Sequence, residues 1–401
     1  MNDTYRAFEV TDTVYWVGAI DWGIRDFHGY LTGRGTTYNA FLILADTITL
    51  VDTVKAPFKE EMLARIASVL NPQDISYIIS NHTEMDHSGS LPDIIETVQP
   101  AKVFASVNGV KAIADHFHTG HAIVAVKDGQ TISLGNMNLT FVETKMLHWP
   151  DSMFTYLTEE QLLFSSDAFG MHLASSERFA DELDESVLEY EAAKYYANIL
   201  LPLSSLVTKL LDRVGGLGIT INTIAPDHGP IWRKEPTRML SSYAKWAAQQ
   251  RTNKAVVVYD TMWQSTAMMA RAIGEGLTAG GTTTKLMPLK SCHRSDVATE
   301  LLDAGALLVG SPTLNNGVFP TVADTLTYLK GLKPRNLLGG AFGSYGWSGE
   351  AVEQIAEALT ATKINVVGNA IRVKYVPDND ALAQCYFLGR LVAAKLKEVC
   401  A

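Results

Sequence analysis

From residue 255 onward the chain alternates short aliphatic strands with amphipathic helices, and this alternation restricts the fold more than any other feature of the sequence. Strand patterns at Ala255–Tyr259, Thr284–Pro288 and Ala306–Gly310 alternate with helix patterns at Thr266–Leu277 and Ser295–Ala304. Strands that are aliphatic along nearly their whole length have both faces buried. The second part of the chain is therefore predicted to form a doubly wound parallel sheet with helices on both faces.

The first part of the chain has a different pattern, with short strands, turns and few helices. Its strands recurrently end at a His or an Asp, as where Ile75–Ser80 runs into Asn81-His82. This pattern places polar side chains at one rim of a sheet scaffold, where loops can carry chemistry on a rigid base. The 401-residue length and the polar segment Arg251–Lys254 predict two domains, residues 1–250 and 251–401.

Composition excludes several classes of function. The net charge is −10 and no stretch clusters Lys and Arg, so neither nucleic acid nor an anionic membrane is expected as a partner. The longest aliphatic runs fall far short of the ~18 residues of a membrane span. Three cysteines without a C-x-x-C motif argue against a disulfide framework, an iron–sulfur cluster and a fused rubredoxin-type iron site. Residues Met1–Arg6 lack the features of a secretory leader, so we expect a cytoplasmic protein.

Candidate metal ligands also follow strand-like segments. Four of them lie within six residues directly after the strand Ile75–Ser80, and the other three stand alone further along the chain. They are His82, Glu84, Asp86, His87, His148, Asp167 and His228. Four imidazoles and three carboxylates suit two ions, each bound by two histidines and one terminal carboxylate, with Asp167 as the bridge. A carboxylate-rich site with open positions suits iron or manganese as well as zinc.

A phosphate-binding loop is predicted directly after the strand Ala255–Tyr259. Hydroxyl groups, backbone N–H groups and a helix N-terminus can together hold a phosphate dianion there. The loop has no Gly-Lys-Ser/Thr and no G-x-G-x-x-G motif, which favours a mononucleotide. Loops after later strands should reach the ring system, with Trp347 covering one ring face. The candidate cofactor-binding residues are Thr261, Met262, Trp263, Gln264, Ser265, Thr266, Pro312, Thr313, Leu314, Asn315, Asn316, Gly317, Ala341, Phe342, Gly343, Ser344, Tyr345, Gly346 and Trp347.

Together these motifs resemble a known family. The loop at residues 82–87 resembles the His-x-His-x-Asp-His loop of metallo-β-lactamase-fold hydrolases, with Glu84 in place of the second histidine. With the three later ligands and the flavodoxin-like second half, the whole chain resembles the flavodiiron proteins, or A-type flavoproteins, which include rubredoxin:oxygen oxidoreductases and nitric oxide reductases. The resemblance implies an N-terminal metallo-β-lactamase-like αββα sandwich and a C-terminal flavodoxin-like doubly wound parallel sheet.

The resemblance also implies cofactors, substrates and partners. By the family pattern one iron is bound by His82, Glu84 and His148, and the other by Asp86, His87 and His228, with Asp167 between them. The implied cofactors are FMN and two irons per chain. The implied activity is reduction of dioxygen to water, of nitric oxide to nitrous oxide, or of both, with electrons from a separate donor, rubredoxin, passing through FMN. Family members are head-to-tail dimers, so a homodimer or a tetramer is expected.

Several residues outside the predicted ligand set also receive an interpretation. His28 and Tyr195 are candidate catalytic residues of the outer shell, which orients ligands or donates a proton to the substrate. The phosphate loop has Gln264 where flavodoxins usually have glycine. His116, His118 and His121 are expected at the surface, on or after a helix, rather than at the metals.

Two alternatives are kept beside the main interpretation. The first is a dizinc hydrolase of the metallo-β-lactamase fold with a fused flavodoxin-like domain, from whose ligand set Glu84 departs. The second is a flavin-bearing redox sensor with an inert metal site.

Overall fold

In the computed structural model, which describes residues 4–118 and 120–400, the chain forms two compact units. One comprises the chain up to His28 together with Thr32–Tyr195 and Ser205–Ala244. The other comprises Gly29–Leu31, Tyr196–Ser204 and the chain from Lys245 onward. We continue to place the domain boundary at residue 250. Residues 1–3 lie outside the described residues. They belong to the segment Met1–Arg6, from which we expect that the chain has no secretory leader.

Two large β-sheets form the sandwich of the first unit, in the strand orders β1-β2-β7-β8-β9-β10-β11 and β12-β13-β14-β15-β16, and β3 and β6 form a separate two-stranded sheet. The strands before residue 250 are β1 (Phe8–Glu9), β2 (Val14–Trp16), β3 (Ala19–Asp21), β4 (Asp26–Phe27), β5 (Tyr30–Leu31), β6 (Thr36–Tyr38), β7 (Phe41–Ile43), β8 (Thr49–Val51), β9 (Tyr77–Ser80), β10 (Lys102–Ser106), β11 (Ile123–Val126), β12 (Thr131–Ser133), β13 (Asn138–Glu143), β14 (Met153–Leu157), β15 (Leu162–Phe164) and β16 (Thr223–Ala225).

The two sheets pack face to face, and their inner faces form one apolar core. Phe41 and Ile79 from the first sheet lie in the same buried cluster as Phe141 and Phe164 from the second. The helices before residue 250 are α1 (Lys59–Ala67), α2 (Met85–Ser88), α3 (Leu91–Val98), α4 (Val107–Phe117), α5 (Glu185–Tyr195), α6 (Ser204–Gly216) and α7 (Thr237–Ala248).

Helices cover both outer faces of this sandwich. Met62 of α1, Ile94 of α3 and Ile113 of α4 pack in a second buried cluster against the outer face of the first sheet. On the other side, the ring of Phe169 lies 6.1 Å from that of Phe154 in β14 and 4.6 Å from that of Tyr243 in α7. The predicted αββα layering is therefore confirmed.

Parallel pairing explains why the predicted ligands share one edge of the sandwich. Strand β9 pairs in parallel with β8 and β10, and β15 pairs in parallel with β16. The carboxyl ends of parallel strands meet at the same edge of a sheet. His82 follows the end of β9, Asp167 follows β15 and His228 follows β16.

The second unit contains a parallel sheet of order β18-β17-β19-β21, with β22 and β23 both paired to β21 in parallel. In chain order this is the 2-1-3-4-5 arrangement of flavodoxin-like sheets. Its elements are β17 (Lys254–Tyr259), β18 (Thr283–Pro288), β19 (Ala306–Leu314), β20 (Gly317–Val318), β21 (Leu338–Tyr345), β22 (Asn365–Val366), β23 (Ile371–Lys374), α8 (Ser265–Ala279), α9 (Arg294–Leu301), α10 (Pro320–Leu332), α11 (Glu350–Ala361) and α12 (Asn379–Cys400).

Both faces of this parallel sheet are covered, as its continuous aliphatic strands predict. Residues 255–259 of β17 are all buried. Helices α8 and α12 share one apolar cluster with alternate residues of the central strands. Among the described residues, no helix combines the length and the apolar character needed to cross a membrane. The predicted doubly wound parallel sheet is confirmed.

Candidate metal centre and flavin cavity

The Asp167 carboxylate lies at the centre of the four predicted histidine ligands. Its Oδ2 is 3.3 Å from His82 Nε2 and 3.2 Å from His148 Nε2. Its Oδ1 is 3.1 Å from His87 Nε2 and 3.4 Å from His228 Nε2. Each carboxylate oxygen therefore faces a different pair of histidines, which is the geometry of a bridging ligand between two ions.

A second carboxylate completes each side of the cluster. Glu84 Oε2 lies 3.1 Å from His148 Nε2, and Asp86 Oδ2 lies 3.2 Å from His228 Nε2. The structure thus brings all seven predicted ligands together in two groups, and within each group the possible donor atoms lie within 4.8 Å of one another. The two groups are His82, Glu84, His148 and Asp167, and Asp86, His87 and His228.

The burial of these groups fits two resident cations. The side chains of Asp86 and Asp167 are 5% and 2% exposed. Within the described residues, three of their carboxylate oxygens accept no hydrogen bond: both oxygens of Asp86 and Oδ2 of Asp167. Buried carboxylate oxygens without donors are costly unless a cation compensates them. Imidazole and carboxylate ligands suit iron as well as zinc, so the chemistry of the residues fits a diiron site.

The electrostatics point the same way. Burial opposes protonation of His82, but hydrogen bonds to Asp151 and Glu84 outweigh it and raise its pKa to about 10. Burial also opposes protonation of His148, yet contacts with Asp167 and Glu84 raise its pKa to about 9. For Asp167, burial favours the neutral acid, but the nearby His87 and His148 hold its pKa well below the usual range. The cluster therefore attracts positive charge, and bound metal ions would displace protons from its histidines.

The other ring nitrogen of two ligands is also held by an acceptor. His82 Nδ1 lies 3.1 Å from Asp151 Oδ2, and the same oxygen accepts hydrogen bonds from the N–H and the hydroxyl of Thr83 at 2.7 and 2.8 Å. His228 Nδ1 donates to the carbonyl oxygen of Thr37 at 2.6 Å. Such partners fix the tautomer and the ring orientation, so that Nε2 faces the metal.

Two further buried groups near the cluster were not predicted. Asp227 Oδ2 lies 3.6 Å from His87 Nδ1, and burial together with the Asp52 charge raises the pKa of Asp227 well above its usual range. The ring of His172 lies 4.6 Å from that of His228, and burial lowers its pKa, so this imidazole is neutral. Adjacency to His228 was the only sequence signal for Asp227.

The two outer-shell candidates lie beside the cluster. His28 Nε2 is 2.8 Å from Glu84 Oε1, and its side chain is 68% exposed. Tyr195 is buried, with its ring 6.2 Å from that of His228. Burial and the Asp167 charge raise the pKa of Tyr195 well above its usual range, so its hydroxyl keeps its proton.

The three histidines that were predicted to lie at the surface are exposed. His116 lies in the last turn of α4, and His118 directly follows that helix. His121 is exposed as well. Within the described residues, none of the three joins either group of possible metal ligands.

A cavity of about 540 Å³ lies at the carboxyl ends of the strands in the second unit. Two largely exposed indoles, Trp263 and Trp347, form part of its wall. Its volume and its aromatic lining fit a flavin ring. The lining residues are Met262, Trp263, Ser265, Pro312, Thr313, Leu314, Asn315, Asn316, Ser344, Tyr345, Gly346, Trp347, Ser348, Tyr375 and Val376.

The loop before α8 has the features of a phosphate site. The Thr261 hydroxyl is buried and has no hydrogen-bond partner among the described residues. Gln264 has a φ of 70°, the left-handed conformation that glycine adopts most easily. Gln264 thus has a backbone conformation that glycine could adopt at this position without strain.

Some predicted flavin residues do not line this cavity. Strand β21 extends to Tyr345, and Ala341 and Phe342 within it are core residues. Thr266 lies behind the wall, with its hydroxyl 2.9 Å from that of Ser344. The predicted residues outside the wall are Thr261, Gln264, Thr266, Gly317, Ala341, Phe342 and Gly343. Ser348, Tyr375 and Val376 line it without having been predicted.

Comparison with known proteins gives matches over both units. Residues 36–229 match the ODP family beta lactamase, and residues 257–389 match the flavodoxin family. A nitric oxide reductase of Moorella thermoacetica is 49% identical over 97% of this chain and 98% of its own length.

Two solved structures are similar over nearly the whole chain. The rubredoxin oxygen:oxidoreductase from Desulfovibrio gigas has a TM-score of 0.97 and 46% identity, covering 99% of this chain and 100% of its own. The flavodiiron protein from Giardia intestinalis has a TM-score of 0.95 and 35% identity, covering 98% of each chain.

The number of metal ions lost should differ between a variant of the shared carboxylate, Asp167, and a variant of a ligand that belongs to one group only. We expect Asp167→Ala to lose both metal ions, because each Asp167 oxygen faces one group, and His228→Ala to lose only one. The metal-to-protein ratio after anaerobic purification measures this, with His116→Ala as a control that keeps both ions. Equal metal loss in Asp167→Ala and His228→Ala would contradict the bridging role.

The Thr261 hydroxyl should matter for phosphate binding but not for folding. We expect Thr261→Val to weaken FMN binding roughly 10- to 100-fold, the value of a hydrogen bond to a charged group. Fluorescence titration of the flavin-depleted protein measures the affinity. Thr278→Val, on an exposed face of α8, is the control and should bind FMN normally. An unchanged affinity in Thr261→Val would remove Thr261 from the phosphate site.

Proposed function

Because the chain belongs to the flavodiiron protein family, we propose that it is an oxidoreductase that reduces dioxygen to water, nitric oxide to nitrous oxide, or both. FMN and two irons, when bound, supply the electron transfer and the reduction. The observation that carries the proposal is the Asp167 carboxylate, whose two oxygens face two separate groups of ligands.

The chain's own residues would bind the irons and the flavin and orient the metal-binding rings. Four histidines, two terminal carboxylates and Asp167 would hold the irons, and all of these side chains except that of His148 are buried. Outer acceptors such as Asp151 and the Thr37 carbonyl orient the ligand rings. The cavity beside Trp347 and the Thr261 hydroxyl hold the flavin ring and its phosphate.

Proton supply is the second task of the protein, because both reductions consume protons as well as electrons. His28 Nε2 contacts Glu84 Oε1 while most of the imidazole faces solvent, so this residue can carry protons from water to the edge of the metal site. Tyr195 keeps its proton at all ordinary pH values because burial raises its pKa. Its hydroxyl can therefore serve as a hydrogen-bond donor beside His228.

The dizinc hydrolase is the weaker candidate. Glu84 replaces the histidine that the hydrolases have at this position. A carboxylate is a harder metal ligand than an imidazole. The similar proteins over nearly the full chain length are named as reductases and oxidoreductases. A flavin cavity also has no role in a hydrolysis reaction.

The electron donor, the assembly and the location remain proposals. Rubredoxin is our choice of donor, since a similar protein is named for it. A head-to-tail homodimer, alone or paired into a tetramer, is the assembly expected for the family. We propose a cytoplasmic location and no nucleic-acid partner, as the composition predicts.

The proposed reaction can be tested with the iron- and FMN-replete protein and an excess of reduced rubredoxin. We expect consumption of O2 without peroxide, or anaerobic consumption of NO with nitrous oxide as the product. His148→Ala should fall below about 1% of this rate while it keeps FMN, because outer-shell partners alone are worth 10- to 100-fold. Gas electrodes measure the rates. Two zinc ions and no iron per chain, or unchanged rates in His148→Ala, would contradict the proposal.

Head-to-tail pairing predicts complementation between two inactive variants. Asp167→Ala keeps FMN without metal, and Thr261→Glu places a negative charge in the phosphate site and excludes FMN. Co-expressed chains should recover up to about a quarter of normal activity, since half of random dimers are mixed and each has one working pair of centres. The measurement is O2 or NO consumption per chain. Activity no higher than that of the separate variants would rule out transfer between subunits.

A further inference from the structure

Most of the backbone carbonyl groups in the loop that carries His228 are bound by one asparagine. Asn39 Nδ2 donates to the carbonyl oxygens of Pro226 at 2.7 Å and Gly229 at 2.9 Å. The backbone N–H of Asn39 donates to the carbonyl oxygen of Asp227 at 2.8 Å. One residue thus binds three of the four carbonyl groups of residues 226–229. The fourth, that of His228, accepts from the Met171 N–H.

The orientation of the Asn39 side chain is itself fixed. Trp16 Nε1 donates to Asn39 Oδ1 at 2.8 Å, so the amide cannot rotate without losing this bond and turning its oxygen towards the two carbonyls. The Trp16 ring is buried, and two guanidinium groups contact it, with Arg65 at 4.7 Å and Arg178 at 4.3 Å from its centroid. Asn39 is 1% exposed, and both polar ends of its side chain are used.

Two further hydrogen bonds hold the loop backbone: the Asp227 N–H donates to the Ser166 carbonyl oxygen and the Gly229 N–H donates to Thr37 Oγ1, both at 2.8 Å. His228 Nδ1 donates to the Thr37 carbonyl, and Nε2 faces Asp86 and Asp167. A displacement of the loop backbone would therefore move Nε2 directly. Aspartate has nearly the shape of asparagine, but it would place an oxygen against the carbonyls of Pro226 and Gly229, where only a donor is stable.

We infer that Asn39, oriented by Trp16, is a positioning residue that sets the place of His228 and so the retention of the ion bound by Asp86, His87 and His228. This inference rests on the proposed function for the assignment of those ligands. The ion bound by His82, Glu84 and His148 lies on other loops and depends much less on Asn39.

Metal release separates this role from a merely structural one. Iron-loaded protein is incubated with an excess of a chelator, and iron loss is followed over time together with FMN content and denaturant unfolding. In Asn39→Asp we expect one of the two irons to leave about 10- to 100-fold faster than in the unaltered protein, with the other retained. Trp16→Phe keeps an aromatic ring but removes the donor to Asn39 Oδ1, and it should show the same selective loss to a smaller extent.

The control is Leu157→Val, in the same apolar core as Trp16 but at the far end of β14. It should lower the stability to denaturant and leave both iron release rates unchanged. The inference is overturned if Asn39→Asp and Trp16→Phe release both irons at the unaltered rates, if they lose both irons in parallel, or if Leu157→Val shows the same selective loss. Should Asn39→Asp not fold, Trp16→Phe decides. An unaltered protein that holds no pair of irons would instead contradict the proposed function.

Discussion

Burying three carboxylates beside four imidazoles is the constraint on which the rest of the first unit depends. In the described residues Asp86 and one oxygen of Asp167 accept no hydrogen bond, and such groups are stable in an interior only when cations compensate them. Metal binding and the structure of the ligand loops are therefore coupled. The sandwich contributes a rim at which parallel strands end together, and the ligands occupy that rim.

The two sides of the cluster are held in different ways. On one side a charged carboxylate, Asp151, binds both the His82 ring and the Thr83 backbone, which ties two ligand loops together. On the other side neutral groups dominate, with the Thr37 carbonyl on the His228 ring and the Asn39 amide on the loop backbone. Charge near a ligand increases its basicity more than a neutral acceptor does. The two proposed ions would consequently have unlike surroundings although their predicted ligand sets are alike, and the exposed His28 adds to the asymmetry.

The sequence predicted those parts of the fold and the site that depend on local patterns. The ligands could be found because His and carboxylate residues follow strand ends, and the second unit could be outlined because its strands are aliphatic throughout. Strand β14 was missed because its sequence, Met-Phe-Thr-Tyr-Leu, shows neither a regular polar–apolar alternation nor the continuous aliphatic run of β17. Thr37 acts through a main-chain carbonyl, which no residue type signals, and Tyr375 reaches the flavin cavity only through the pairing of β23 with β21. Such long-range contacts have no signature in one sequence.

Anomalous X-ray diffraction at the iron edge, from crystals of anaerobically purified protein, tests most directly whether Asp167 bridges two irons. Two iron peaks are expected about 3.5–4 Å apart, as in two-metal sites, with one Asp167 oxygen on each. A single peak, two peaks that appear only at the zinc edge, or an Asp167 carboxylate bound to one ion alone would contradict this expectation.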